Sequence, residues 1–242
     1  MNKGYIDINL DTDLISLFIH KPYNFNYNNL TKVELDNEYK KIGIEFKKII
    51  RPNQNHTNIV KVVNESNLND SFNDVDGLIT NLEGIALVIT VADCQGILLY
   101  DSVKGVIGNI HSGWKGTLNR IGSNAINTMI KEYNCNPSDI KIYISPSIHK
   151  CHFEVDKDVK DLFVKEFRDI DISDLITAKN NKYYIDTVEL NKRLFIELGI
   201  KKENINSSDL CSVCNEEIHS YRRDKPNDGR NIVLIEKKET IN

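Results

Sequence analysis

One cysteine and two histidines stand beside apolar, β-branched runs in this chain. Cys94 closes Thr90-Val91-Ala92-Asp93-Cys94. His111 follows 17 positions later in Asn109-Ile110-His111-Ser112-Gly113-Trp114-Lys115-Gly116, and His56 precedes Ile59-Val60-Lys61-Val62-Val63. Two imidazoles and a thiolate are the ligand set of a catalytic zinc, with the fourth position left for water or substrate. Each residue also has a plainer reading. A lone cysteine is often a small core residue, and a histidine at a strand end is often only hydrogen-bonded. The zinc reading requires three residues far apart in sequence to meet.

Their neighbours extend the chemistry. Asp93 puts a charge inside an apolar run, where a carboxylate needs a partner; it can orient a ligand histidine or act on substrate. The glycines at 113 and 116 let backbone approach a ligand. The helix after them offers its first amides to an anion, and Lys115 adds a positive charge. Trp114, the only tryptophan, walls a pocket or simply packs. A third cluster, Ser145-Pro146-Ser147-Ile148-His149-Lys150-Cys151-His152-Phe153-Glu154-Val155, follows a strand. Within it Glu154 is either a catalytic acid or base or the cap of the next helix. A fourth cluster joins Cys211-Ser212-Val213-Cys214 to Ser220-Tyr221-Arg222-Arg223-Asp224 and Gly229-Arg230. The C-x-x-C suggests metal or redox chemistry but lacks a second C-x-x-C and a thioredoxin-like context. Arg222 and Arg223 either grip an oxyanion or pair with acids in the core.

The elements that must position these groups follow from periodicity. Tyr5–Leu10, Ile15–His20, residues 59–63, Val75–Thr80, Ile85–Ala92, Gly96–Asp101, Val103–Ile110, Lys141–Ser145 and the tail around Ile232–Ile235 read as strands. Helices are predicted from Thr31 or Asp36 to Ile50, Thr117–Tyr133, Asp156–Phe167 and Val188–Leu198; Leu35, Tyr39, Ile42, Ile44, Phe46 and Ile49 form the face of the first. Tyr23–Asn29 and Asn64–Asp74 read as loops. No linker or internal repeat breaks the chain. Residues 75–110 contain consecutive strands without helical crossovers, which disfavours a doubly wound parallel fold. The expectation is α/β of the α+β type: one domain over 1–242, with mixed β-sheets covered by helices.

Composition narrows the function class. With 242 residues, 40% hydrophobic and 27% charged, the chain is an ordinary globular one. Its net charge of −4 argues against non-specific nucleic-acid or membrane-surface binding but allows a local basic pocket. No secretory signal or apolar run of about 18–20 residues is visible, so a cytoplasmic location is expected. Five cysteines suit reduced thiols better than a disulfide framework.

Taken jointly, Gln54-x-His56, Val75-Asp76-Gly77-Leu78-Ile79-Thr80, Thr90-x-Ala92-Asp93-Cys94, His111-Ser112-Gly113-Trp114-Lys115-Gly116, Pro146-x-Ile148 with Phe153-Glu154-Val155, and Ser220-Tyr221-Arg222-Arg223-Asp224 with Gly229-Arg230 resemble the YfiH-like, laccase-domain family. Its members were first described as multicopper polyphenol oxidoreductases and are now described as purine nucleoside phosphorylases. The resemblance spans about residues 50–235. It implies zinc at His56, Cys94 and His111, phosphorolysis of adenosine, inosine and methylthioadenosine, and adenosine deamination. A role in correcting peptidoglycan precursors is also attributed to bacterial members. On this reading Asp93, Cys94 and Glu154 are catalytic candidates, while Lys115, Arg222 and Arg223 bind phosphate. The partners are a purine nucleoside and inorganic phosphate, with the protein a monomer or weak homo-oligomer. Three motifs depart from the family pattern: Ser145 stands for the usual glycine, Ile218-His219 for an aromatic pair, and Lys115 for arginine. Copper oxidation fits poorly, because only six histidines are present. A thiol hydrolase with Cys94 as nucleophile and His111 as base, acting on an amide or peptidoglycan precursor, is the alternative enzyme class. A non-enzymatic binding module is the third possibility.

Overall fold

The computed structural model describes residues 4–25, 38–43, 46–226 and 229–240. Its β-branched runs form two main sheets. One is ordered Tyr5–Asp7, Leu14–Ile19, Asn231–Lys237, Ile85–Val91, Lys48–Ile50; the other is Ile205–Ser207, Ile140–Ile144, Gln95–Asp101, Val106–Ser112, Gly77–Thr80, Val60–Val62. Both are mixed. Lys48–Ile50 runs parallel to Ile85–Val91, and the two edge strands of the second sheet are also parallel to their neighbours. Every other pairing in the two sheets is antiparallel.

The sheets lie face to face because each has an apolar side to remove from water. Leu87, Ile89, Val91, Val233 and Ile235 meet Leu78, Leu98, Tyr100 and Ile107 in one cluster. Full burial of such side chains contributes about 1.5–3 kcal/mol each. Contact is closest at Gly96, where an added Cβ would collide with the Val233 side chain. Asn109 crosses the interface too, its Nδ2 donating to the Leu87 and Val233 carbonyls at 2.9 Å each. The strands flanking Cys94 therefore sit on a rigid base.

Helices Ile121–Tyr133 and Thr187–Glu197 pack against the outer face of the second sheet, through Ile126, Met129 and Phe195. Phe25 and Tyr39 pack on the outer face of the first sheet. A small sheet of Glu154–Val155, Lys182–Ile185 and Ile176–Lys179 packs with helix Lys157–Glu166 around Phe163 and Phe167. No helix among the described residues is long and apolar enough to cross a membrane.

The expected mixed-sheet α/β fold is the observed one, with local corrections. The helix expected up to Ile50 lies partly outside the described residues, including Leu35 and Ile44; only residues 38–41 are helical. Lys48–Ile50 is instead a strand, because Ile49 and Ile50 pair beside Ala86 and Leu87. The loop expected over 23–29 is described only to Phe25. The helix expected over 117–133 is split into Trp114–Leu118 and Ile121–Tyr133. Arg120 takes a left-handed conformation, φ 56°, and interrupts it. The small three-stranded sheet has no counterpart in the sequence reading, since its strands are too short to show a period.

Candidate metal centre and active site

Cys94 sits in the tight connection between Ile85–Val91 and Gln95–Asp101, where the chain passes from one main sheet to the other. Asp93 adopts φ 82° to make that turn. His111 lies near the end of Val106–Ser112, the neighbour of Gln95–Asp101. Adjacent strands thus bring the cysteine and this histidine together. His56 arrives on a loop pinned at two points. The Gln54 side chain exchanges hydrogen bonds of 2.8 Å with Thr90, donating to the carbonyl and accepting from the amide.

The second pin is Asp76, fully buried. Its carboxylate accepts from the backbone amides of Asn55, His56 and Thr57 at 3.2, 3.1 and 2.7 Å, and from the Thr57 hydroxyl at 2.8 Å. It also meets Nδ1 of His111 at 2.7 Å. One buried acid therefore shapes the loop that carries the first histidine and orients the second. Burial opposes its ionisation, but hydrogen bonds from His111 and Thr57 outweigh burial and hold the carboxyl at about 2. With Nδ1–H engaged by Asp76, the lone pair of His111 Nε2 is left for a ligand, the usual supporting pattern of a metal-bound histidine.

Donor atoms of His56, Cys94 and His111 all lie within 4.8 Å of one another. Cys94 Sγ is 3.8 Å from His56 Nε2, and the two imidazoles meet edge-on at 4.8 Å between centroids. Burial resists ionisation of Cys94, but the His111 charge and hydrogen bonds from both histidines bring the thiol down to about 6. Burial likewise opposes charge on His111, yet Cys94 and Asp76 raise it to about 9. Without an ion the two groups favour a thiolate beside an imidazolium; ligation keeps the thiolate and displaces the proton from His111 Nε2. Gly113 makes the convergence sterically possible: a Cβ there would lie 2.8 Å from His56 Cδ2 and 3.0 Å from Cys94 Sγ. A thiolate with two imidazoles suits zinc, which takes sulfur and nitrogen donors together.

The triad borders a cleft of about 910 Å³. Trp114, Phe153 and Tyr221 supply aromatic wall, and Arg51, Arg222, Lys225 and Arg230 supply cationic groups. Arg222 is held by its backbone amide, which donates to Asp93 at 2.6 Å, and by guanidinium bonds to the His152 and Glu154 carbonyls at 3.1 and 3.3 Å.

Asp93 lines the cleft as expected, but other expected site residues lie outside it, and several have other partners than expected. Asp93 does not orient a histidine; its oxygens accept from Ser212 Oγ at 2.7 Å and the Arg222 amide. Its place is beneath the short helix Tyr221–Asp224, which carries both arginines. Lys115 is exposed, lies outside the cleft lining and sits over the Trp114 ring at 5.7 Å. The Trp114–Leu118 helix is only five residues long, so its dipole is too short for the expected anion site. Arg223 does not face the cleft. Its Nη1 donates to the Ser212, Val213 and Asn215 carbonyls, its Nη2 to Ile218, and Asp224 takes the rest. A guanidinium so saturated has no donor left for phosphate. Glu154 neither lines the cleft nor caps a helix; its Oε2 accepts from the Tyr184 hydroxyl at 2.5 Å. Sequence reasoning missed Asp76, hidden as one position of a predicted strand, and the cations Arg51 and Lys225. The signal for Asp76 was a charge in an otherwise apolar run, the same clue that drew attention to Asp93.

A protein-family comparison matches residues 32–238 to the multi-copper polyphenol oxidoreductase laccase family. The chain belongs to that family. A purine nucleoside phosphorylase of Borreliella burgdorferi is 33% identical over 223 residues, covering 90% of this chain and 91% of its own. Adenosine deaminase RL5, from an unknown prokaryotic organism, is 29% identical over 207 residues, 81% of this chain and 78% of its own. Among solved structures, YlmD from Geobacillus stearothermophilus superposes with a TM-score of 0.87 at 21% identity, covering 99% of this chain and 98% of its own. The hypothetical protein YfiH of Bacillus licheniformis gives 0.83 at 25% identity, over 93% of each chain. The laccase-family label names copper, yet only two of the three convergent donors at the cleft are histidines.

Proposed function

We propose that this laccase-family member is a zinc-dependent purine nucleoside phosphorylase acting on adenosine, inosine and methylthioadenosine, with adenosine deamination as a second activity of the same cleft. The carrying observation is the meeting of His56, Cys94 and His111 beside a cleft that has both cations and aromatic faces. The names of the Borreliella burgdorferi and RL5 relatives support the two activities.

On this reading the triad holds the zinc, which when bound supplies a Lewis acid beside the reacting groups. Arg222, with Arg51, Lys225 and Arg230, gathers inorganic phosphate and neutralises its charge. Trp114, Phe153 and Tyr221 take the faces of the purine. Phosphate oxygen then forms a bond to the ribose anomeric carbon as the bond to the purine nitrogen breaks. The products are the sugar 1-phosphate (ribose 1-phosphate from adenosine or inosine, its 5-methylthio form from methylthioadenosine) and a base that takes up the proton given up by phosphate. Asp93 acts as a positioning residue, because both its oxygens are committed to holding Ser212 and Arg222. Holding the two reactants in register is the main contribution of such a cleft.

The test is a nucleoside panel incubated with and without phosphate, with products separated chromatographically. Free base that appears only with phosphate supports phosphorolysis; inosine formed from adenosine without phosphate supports deamination. Absence of both with zinc-loaded protein would overturn the proposal. One observation favours a second reading, a Cys94/His111 thiol hydrolase: the thiol is already down to about 6 beside a histidine up at about 9. Its signature is full activity in metal-free protein, abolished by alkylation of Cys94.

A further inference from the structure

A second set of metal-type donors lies apart from the cleft triad. Cys151 and His152 sit on the loop between the strands Ile140–Ile144 and Glu154–Val155; Cys211 and Cys214 sit between Ile205–Ser207 and Tyr221. A parallel bridge pairs Ser147 with Cys211, and the Ser212 amide donates to the Ser147 carbonyl at 2.9 Å. That contact brings a Cys-His pair against a Cys-x-x-Cys turn about sixty residues away in sequence.

The four donor atoms fall within 4.8 Å of one another. His152 Nδ1 is 3.2 Å from the sulfur of Cys151, 3.4 Å from that of Cys214 and 3.7 Å from that of Cys211. The sulfurs of Cys151 and Cys214 are 3.9 Å apart. A tetrahedral zinc with bonds of about 2.3 Å to sulfur and about 2.0–2.1 Å to nitrogen spaces its ligands roughly 3.5–3.8 Å apart. A disulfide requires about 2.05 Å. The sulfurs are therefore spaced to share an ion rather than a bond. Backbone amides of His149, Val213 and Cys214 donate to the sulfur of Cys211, the kind of support that a ligating sulfur receives. Three thiolates brought this close together would repel one another, and a divalent ion among them offsets that charge.

We propose that Cys151, His152, Cys211 and Cys214 form a closed structural zinc site, distinct from the His56/Cys94/His111 triad. Binding forms three zinc–sulfur bonds and one zinc–nitrogen bond, and the three thiols release their protons to solvent. The ion clamps residues 145–155 to residues 208–224. That junction positions Arg222, whose guanidinium hangs on the His152 and Glu154 carbonyls. It also holds Phe153 in the cleft wall. The second ion thus stiffens the cationic side of the cleft without touching substrate, and it is independent of which reaction the cleft performs.

Metal content of the full-length protein, loaded with zinc and desalted, tests this. Wild type should retain about two equivalents, and Cys94→Ser/His111→Ala, which destroys the cleft triad, about one. Cobalt-loaded Cys94→Ser/His111→Ala should show intense thiolate-to-metal charge transfer. Iodoacetamide should label the exposed Cys151 and Cys214 at least about tenfold more slowly with zinc than after chelation, since ligation withdraws the thiolate. Cys211→Ser/Cys214→Ser should also retain about one equivalent; if it fails to fold, the triad variant still decides. A folded Cys94→Ser/His111→Ala protein that holds no metal would overturn the proposal. So would alkylation rates indifferent to zinc, or a disulfide among Cys151, Cys211 and Cys214 found by mass spectrometry of zinc-loaded protein.

Discussion

Asp76→Asn isolates the residue that organises the triad. The native carboxylate accepts five hydrogen bonds, two on Oδ1 from the His56 amide and His111, and three on Oδ2 from Asn55 and Thr57. Asparagine keeps the shape but turns one oxygen into a donor, so every orientation sets an NH₂ against at least two donors. With the NH₂ on the His111 side, Nδ1 must become an acceptor, the ring proton moves to Nε2, and the histidine stops being a ligand. With the NH₂ on the other side, the loop that carries His56 loses its anchors. Removing such a supporting partner costs about 10–100-fold in metal affinity, equivalent to roughly 1.4–2.8 kcal/mol. Two lost hydrogen bonds to a charge, at about 1.5–3 kcal/mol each, lower fold stability as well. The assay is competition for zinc against a chromophoric chelator, with circular dichroism confirming fold and Asp93→Asn as the comparison. Asp93 touches Ser212 and Arg222 rather than the histidines, so its variant should bind zinc at the triad like wild type while losing phosphate affinity. Equal zinc affinity in Asp76→Asn and wild type, or a larger loss in Asp93→Asn, would refute the assignment.

Gly113→Ala drives a methyl into His56 and Cys94; zinc content should fall well below one equivalent at the triad while far-ultraviolet circular dichroism stays native. Arg222→Ala should raise the KM for phosphate by about tenfold or more with little change in melting temperature, because it removes one charge-assisted contact. Arg223→Met should do the reverse, lowering stability by about 2–4 kcal/mol in urea unfolding, since the Ser212, Val213, Asn215 and Ile218 carbonyls lose their donor. Glu236 is buried, and burial, with the Glu239 charge, raises its carboxyl to about 7. The unfolded chain ionises near 4.5 while the native state holds its proton, so stability falls as pH rises from 4.5 through 7. Glu236→Gln should therefore match wild type near pH 4 and exceed it by about 3 kcal/mol at pH 8; equal stability at both pH values would contradict this.

Much of the architecture was legible because it depends on local pattern. The apolar runs over 85–110 came out as strands with ends shifted by a few residues, and the amphipathic helices near 157–166 and 187–197 matched their periods. Lys48–Ile50 failed because so short an apolar stretch fits a helix face and a strand equally well until a neighbour supplies the ladder. Lys115 failed for a related reason: residue type announces a charge, but helix register decides where it points.

From the sequence alone came the mixed-sheet class, the family, and the identities of His56, Cys94 and His111 as metal-type donors, since donor chemistry belongs to the side chain itself. Only the tertiary structure decided which acid serves which histidine, which arginine is consumed by carbonyls, and that Cys151 and His152 meet Cys211 and Cys214. Those outcomes depend on hydrogen bonds and distances between segments tens of residues apart, and strand order and chain crossing, rather than composition or period, set such separations.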